Sequence, residues 1–132
     1  MPLKIVLKPG ERVIIGGAVI SNGKFKSELF VENKVPILRQ KDILSFKEAD
    51  TPCRRLYFSI QLMYMDEGRL AEHHKVYWQL VKDLLSATPS VLGLIDQISE
   101  QILNNHYYQA LKLGKKLIDY EQEVLEYVSK PI

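Results

Sequence analysis

The sequence predicts an α+β fold, in which a small N-terminal antiparallel β-sheet of four or five short strands precedes a bundle of about four α-helices. Two observations predict this fold. Apolar and polar residues alternate between turn residues up to about residue 48, and the apolar spacing becomes helical from Thr51 onward. The 132 residues, 46% hydrophobic and 26% charged, suffice for a buried core. We therefore expect a single domain over residues 1–132, with a β-rich subregion at 1–48 and a helical subregion at 51–130.

The strands are predicted by alternation of side chains. Leu3, Ile5 and Leu7 share one face of the first strand, which leaves Lys4 and Lys8 together on the other face. A last short strand is predicted at residues 35–39, near a sheet edge because the proline within it cannot donate a ladder hydrogen bond. All the strands are expected to form one small curled sheet.

Glycine, proline and asparagine mark the turns between these strands. Pro9-Gly10 follows the first strand, and Gly16-Gly17 is typical of a bulge or a bend. Asn22-Gly23 is the strongest hairpin signal, because both residues tolerate a type I′ turn. This hairpin is predicted to join residues 18–20 to residues 24–25.

Four helices follow from their start and stop signals. Thr51-Pro52 begins the first, whose residues 56–65 are apolar nearly all round and are therefore predicted to be buried on most sides. Residues 66–68 end it, Thr88-Pro89 separates the second helix from the third, and Asn104-Asn105 separates the third from the fourth. The last two helices are predicted to form a helical hairpin.

No catalytic motif is present in the sequence, and we predict that the protein is not an enzyme. His73 and His74 are adjacent, so on a helix they diverge by about 100° and are poorly placed to chelate one metal ion. Cys53 lies beside Arg54 and Arg55, which can activate a thiol, but a small residue at a helix start that packs on the sheet is the favoured interpretation. We expect no metal and no cofactor.

Composition also bears on the location of the protein. One cysteine excludes an internal disulfide, no apolar stretch reaches the roughly 20 residues of a membrane-spanning helix, and the first residues lack a secretory pattern. We expect a cytoplasmic protein with no membrane partner. Net charge is +2, with nine Lys/Arg against six Asp/Glu in residues 1–50 and nine against ten thereafter. This tilt permits a polyanionic partner for the N-terminal end.

Six basic residues of the β-rich subregion are candidate RNA contacts, because lysine and arginine spread along strands can follow a phosphate backbone. They are Lys4, Lys8, Arg12, Lys24, Lys26 and Arg39. A solvated face or the protection of sheet edges is the alternative. Within the predicted strands only Phe25 and Phe30 are aromatic, so little base stacking is expected.

Arg54 and Arg55 are two further candidates for an anion site. Cations in the first turn of a helix oppose its dipole, and residues that break a local rule are often functional. The alternative is structural pairing with Asp42, Glu48 or Asp50, which lie just upstream.

The seven tyrosines all follow residue 56. Tyrosine in a helix is usually a large amphipathic core residue, and it is also enriched in the centre of protein interfaces. Tyr77, Tyr107 and Tyr108 are therefore candidate partner-binding residues, with a place in the core as the alternative.

Four segments resemble the flagellar biosynthesis repressor FlbT family, and together they extend across essentially the whole chain. They are Met1-Pro2-Leu3-Lys4 with Leu7-Lys8-Pro9-Gly10-Glu11 and Asn22-Gly23; Leu38-Arg39-Gln40-Lys41-Asp42-Ile43-Leu44; Thr51-Pro52-Cys53-Arg54-Arg55-Leu56-Tyr57-Phe58 with Gln61-Leu62-Met63-Tyr64-Met65; and Tyr108-Gln109-Ala110-Leu111-Lys112 with Leu117-Ile118-Asp119-Tyr120-Glu121. The third segment is the most specific. Cys53 departs from the small residue, such as alanine, expected at that position.

The resemblance implies a post-transcriptional repressor of flagellin synthesis, which binds the 5′ untranslated region of flagellin mRNA and promotes its degradation. It also implies a functional link to the regulator FlaF. The alternative is a helical protein-binding module that binds flagellin or FlaF and affects the mRNA only indirectly. A homo-oligomer is possible under either interpretation.

Overall fold

The computed structural model describes the backbone of residues 2–129 and the side chains of residues 2–124. It confirms an α+β fold in which five short strands precede four helices. The chain divides between Ile43 and Leu44 into two compact units, and each is described here by itself. The single domain over residues 1–132 stays a prediction.

The N-terminal unit contains two antiparallel sheets and not the single sheet that we predicted. Strand β1 (Leu3–Leu7) pairs with β4 (Ser27–Val31), while β2 (Arg12–Ile15) lies between β3 (Ala18–Ser21) and β5 (Ile37–Arg39). The core of this unit contains Ile5, Leu7 and Val13, which are at most 1% exposed, and the partly buried Ile15, Leu29, Val31 and Ile37 pack against them. Strands β1, β2, β4 and β5 therefore supply this core, whereas all four residues of β3 are exposed.

The tight hairpin of this unit is formed by Gly16 and Gly17, so its prediction at Asn22-Gly23 is wrong. Ile15 pairs with Ala18, which leaves a two-residue loop whose glycines have φ of 57° and 87°. A type I′ turn requires positive φ at both central residues, and a pair of glycines meets that requirement without steric cost. The segment after Asn22 is accordingly irregular, and β4 begins only at Ser27.

The helical unit contains α1 (Pro52–Met65), α2 (Leu70–Ala87), α3 (Leu92–Leu103) and α4 (Tyr107–Ser129). Helix α1 packs against α2 and α4, and α3 packs against α4 as the predicted hairpin. The predicted signals at the beginning of α1 and between α3 and α4 are confirmed. The side chain of Thr51 caps α1 by accepting a hydrogen bond from the backbone N–H of Arg54, and Asn105 between α3 and α4 has a left-handed φ of 61°.

The beginning of α1 is also held by α4. The Thr51 hydroxyl donates a hydrogen bond to one carboxylate oxygen of Glu121, and the Cys53 backbone N–H donates to the other at 3.1 Å. The Cys53 side chain is 2% exposed, and burial together with the Glu121 carboxylate raises the pKa of its thiol to about 12. Cys53 is therefore a buried residue at the beginning of α1, and its expected packing on the sheet stays a prediction.

Candidate nucleic-acid interface

Two segments of the N-terminal unit lie side by side and carry four of the predicted cations. Residues 8–12 extend from the end of β1 to the first residue of β2, and residues 22–26 connect β3 to β4. The Gly10 N–H donates to the Gly23 carbonyl at 2.9 Å, and the Asn22 N–H donates to the Glu11 carbonyl at 2.8 Å. We call these two segments together the basic loop cluster.

The side-chain amide of Asn22 holds the basic loop cluster together. Its nitrogen lies within 3.2 Å of three carbonyl oxygens to which it donates, those of Leu7, Lys8 and Phe25. Its oxygen accepts from the Gly23 N–H and the Ser27 hydroxyl. The sequence assigned Asn22 only to a turn, because nothing local reveals that its partners lie up to 15 residues away.

Four exposed cations project from this framework: Lys8, Arg12, Lys24 and Lys26. Among the residues that the structure describes, none of the four forms an ion pair with a carboxylate. Glu11 is the acidic residue of the cluster, and one of its carboxylate oxygens accepts a hydrogen bond from the Lys8 backbone N–H. The four cations are therefore free to bind phosphate.

A polar depression of about 400 Å³ adjoins the first of the two segments. Residues 8–11 form one side of it, and Gln40 and Lys41 form the other. The Gln40 side-chain oxygen accepts a hydrogen bond from the Arg12 backbone N–H at 2.6 Å, which fixes the second side to β2. Backbone and side-chain polar groups thus surround a concave surface between positively charged residues.

The other two predicted cations of this unit have structural partners. Lys4 pairs with Glu28 at 3.3 Å, since β1 and β4 bring the two side chains to the same face. Arg39 donates a hydrogen bond to the Val6 carbonyl at 2.9 Å and lies 3.7 Å from a carboxylate oxygen of Glu11. These contacts are within the sheet framework, so Lys4 and Arg39 are less available to a ligand than the four free cations.

Arg54 and Arg55 lie in the helical unit and differ from each other. The Arg54 guanidinium contacts the Asp50 carboxylate at 2.9 Å, and this hydrogen bond lowers the pKa of Asp50. This contact is the pairing that the structural alternative expects, and the role of Arg54 in an anion site stays a prediction. Arg55 is exposed and has no ion pair within 4.0 Å among the described residues.

An apolar groove of about 480 Å³ runs along the helical unit beside the beginning of α1. Leu80, Leu84, Val91 and Val124 line it, and Arg55 is at its side. The sequence did not reveal the groove, because the periodicity of a helix does not show where its neighbours leave space.

The three candidate partner-binding tyrosines do not line this groove. Tyr77 is fully buried, and its hydroxyl lies 2.8 Å from that of Ser99, so the structure corrects its assignment to a binding surface. Tyr107 is partly buried, with its hydroxyl 3.2 Å from His74 Nε2. Tyr108 is 37% exposed, and the Lys112 ammonium lies 5.0 Å from the centre of its ring.

Within the part of the chain that the structure describes, no group of three or more histidine, cysteine, aspartate or glutamate residues could hold a metal ion. His73 contacts Asp66, whereas His74 contacts Tyr107, so the two adjacent rings face different partners. No described helix combines the length and the apolar character that crossing a bilayer requires.

Free cations on a fixed loop framework and an apolar groove are both surfaces suited to binding other molecules. The fold is that of a small α+β protein in which five short strands precede four helices. The family model described as "Flagellar protein FlbT" matches residues 3–125. The chain belongs to the FlbT family.

Curated relatives agree with this assignment along the whole chain. A protein of Caulobacter sp. (strain K31), named "Probable flagellum biosynthesis repressor protein FlbT", is 39% identical over 98% of this chain and 100% of its own length. A Bradyrhizobium diazoefficiens relative named as a probable repressor of the same kind is 42% identical over 94% and 85% of the two chains. The "Flagellum biosynthesis repressor protein FlbT" of Caulobacter vibrioides (strain ATCC 19089) is 37% identical over 100% and 95%. No solved structure matches the chain.

Proposed function

We propose that this protein represses flagellum biosynthesis after transcription, by binding the 5′ untranslated region of flagellin mRNA and promoting its degradation. The names of its relatives support the repressor role. The RNA-binding surface in this proposal is the basic loop cluster, and the protein works in the cytoplasm, where the mRNA is degraded. The chain itself performs no chemistry, so nucleases act on the transcript that it holds.

The observation that carries the proposal is the grouping of four unpaired cations on one hydrogen-bonded framework. Lys8 and Arg12 lie on one segment, Lys24 and Lys26 on the other, and Asn22 holds the two segments together. Phosphate contacts provide most of the affinity of a protein for nucleic acid, and each contact releases bound counterions. Cations that already have a carboxylate partner, such as Lys4, would gain less from a phosphate.

The direct test measures binding of the purified protein to a flagellin leader RNA and to a scrambled RNA of equal length, over a range of salt concentrations. We expect a preference for the leader. The double variant Lys24→Ala/Lys26→Ala should bind more weakly, and the slope of log K against log salt should fall in magnitude by about 1.4, or about 0.7 per lost contact to single-stranded RNA.

The matched control is Lys75→Ala/Lys82→Ala, which removes two exposed lysines of α2 and so changes the net charge equally. It should keep the wild-type affinity and slope. Equal weakening by both double variants would show that only net charge matters, and equal affinity for leader and scrambled RNA would refute selective binding of the leader. In cells, the Lys24→Ala/Lys26→Ala variant should lengthen the half-life of flagellin mRNA.

The apolar groove favours a second candidate function, in which the helical unit binds flagellin or FlaF and affects the mRNA only indirectly. Apolar concave surfaces with a few polar groups at their edges are typical of ligand and peptide sites. Val124 is 41% exposed on the groove and Leu103 is 70% exposed elsewhere on the helical unit. Binding to purified flagellin or FlaF should be lost in Val124→Glu and retained in Leu103→Glu. Equal binding by both variants would exclude the groove.

A further inference from the structure

The basic loop cluster contains one aromatic side chain, Phe25, between Lys24 and Lys26. Its side chain is 81% exposed, although a phenylalanine of this unit could contribute roughly 1.5–3 kcal/mol by burial in the core. Phe46 of the helical unit is equally exposed, but its ring lies 6.1 Å from that of Phe58 in an edge-on arrangement. Phe25 has no ring partner among the described residues.

The backbone at Phe25 is fixed even though its side chain projects into solvent. Its carbonyl accepts hydrogen bonds from the Asn22 side chain at 2.8 Å and from the Ser27 hydroxyl at 3.3 Å. A side chain on a fixed backbone loses less conformational entropy when a ligand covers it. The ring is therefore presented in a limited range of directions before anything binds.

The charge around Phe25 favours a polyanion over an apolar protein surface as its partner. Lys24 and Lys26 are exposed and without ion pairs within the described part of the chain, and no acidic residue occurs between Glu11 and Glu28. Docking on a protein would place both ammonium groups in a low-dielectric interface, where a charge without a partner is costly. A single strand of RNA offers an aromatic base for the ring and a phosphate for each neighbouring lysine.

We propose that Phe25 stacks on an unpaired base of the bound RNA, while Lys24 and Lys26 hold the phosphates beside that base. This inference rests on the proposed function and adds the class of substrate, which is a single-stranded or looped segment and not a continuous duplex. In a duplex the bases are stacked on one another, so the ring has no free base face to cover. The sequence indicated little stacking because aromatic residues are scarce in this unit, whereas the exposure of Phe25 identifies one position for it.

The test compares the wild type with Phe25→Ala and Phe25→Leu on oligouridine that carries one 2-aminopurine, and on a double-stranded RNA of equal length. Leucine keeps the apolar bulk and removes the aromatic face. We expect both variants to bind the single strand about 5- to 150-fold more weakly than the wild type, with little change in the salt slope. Wild-type binding should quench 2-aminopurine, and neither variant should do so. Duplex binding should not change.

The outcomes separate this inference from the proposed function. Affinity and quenching equal to the wild type in Phe25→Leu would overturn stacking, and the loss of binding in Lys24→Ala/Lys26→Ala would then still support the RNA-binding role. Failure of the wild type to bind oligouridine would also overturn stacking on an unpaired base, whereas the proposed function is decided separately by binding to the leader RNA. Because Phe25 makes no core contact, circular dichroism and thermal unfolding should match the wild type, which keeps the comparison interpretable.

Discussion

Replacing Gly17 by alanine should destabilise the β2–β3 hairpin by about 1–2 kcal/mol, because φ of 87° lies where an L side chain meets the following carbonyl oxygen. The matched change is Gly23→Ala, at the turn where the sequence predicted the hairpin. A Cβ there would meet nothing within 4 Å, and its φ is not in the left-handed region. Gly23→Ala should therefore be neutral, or stabilising by up to about 1 kcal/mol through the unfolded chain.

Amide hydrogen exchange measures this difference at the hairpin itself. A loss of 1–2 kcal/mol corresponds to exchange that is about 5- to 30-fold faster, since 1.4 kcal/mol is a factor of ten. The acceleration is expected at the amides that pair β2 with β3, between Arg12 and Ser21. Amides in the core of the helical unit serve as the internal reference and should not change.

Two results would refute the reasoning. Equal acceleration by Gly17→Ala and Gly23→Ala would mean that the second turn also requires glycine. Faster amide exchange in Gly23→Ala alone would mean that the hairpin turn lies at Asn22-Gly23, as the sequence predicted.

Three further predictions concern hydrogen bonds and titration. Asn22→Ala should destabilise the basic loop cluster by about 2–4 kcal/mol, visible as faster exchange of the Gly10 amide; unchanged exchange would contradict the role of this side chain. The pKa of the Cys53 thiol is raised to about 12, so alkylation of this thiol at pH 8 should be slow in the native protein and rapid in urea. The free energy of unfolding should fall as pH rises above about 9, because only the unfolded thiol ionises there. Alkylation of the native protein at the rate of free cysteine would refute this prediction. The Arg54 contact lowers the pKa of Asp50 in the folded protein, so the stability from the ionised carboxylate is present above the usual pKa of aspartate and is lost as pH falls through the lowered pKa. Arg54→Met should raise the pKa of Asp50 in an NMR titration of the folded protein. Identical titration curves for the variant and the wild type would contradict the contact.

The helices could be predicted closely because their ends depend on neighbouring residues. Thr51-Pro52 begins α1, Asp66 follows its last residue, and Asn105 adopts the left-handed conformation between α3 and α4. A cap or a left-handed residue requires only chemistry within one turn of the chain. Short-range signals therefore sufficed for the helical unit.

The strand pairing could not be predicted in the same way. Both Gly16-Gly17 and Asn22-Gly23 can form a hairpin turn, and long-range contacts determine which of them does so. The side chain of Asn22 is committed to carbonyls of β1 and of the following segment, which prevents residues 22–23 from serving as a two-residue hairpin loop. The candidate site also depends on long-range contacts that the sequence does not show. Which lysines are free depends on the register that places Glu28 beside Lys4, and no local pattern contains that information.

The carboxylate of Glu121 links the two ends of the helical unit in a way that bears on how the unit folds. Its partner Thr51 is 70 residues earlier, so the N–H groups at the beginning of α1 receive this acceptor only after α4 has docked. During synthesis on a ribosome, α1 emerges well before the residue that completes its capping. We therefore expect the unit to gain its stability in one late cooperative step, and partial chains ending before Glu121 should leave the first turn of α1 frayed.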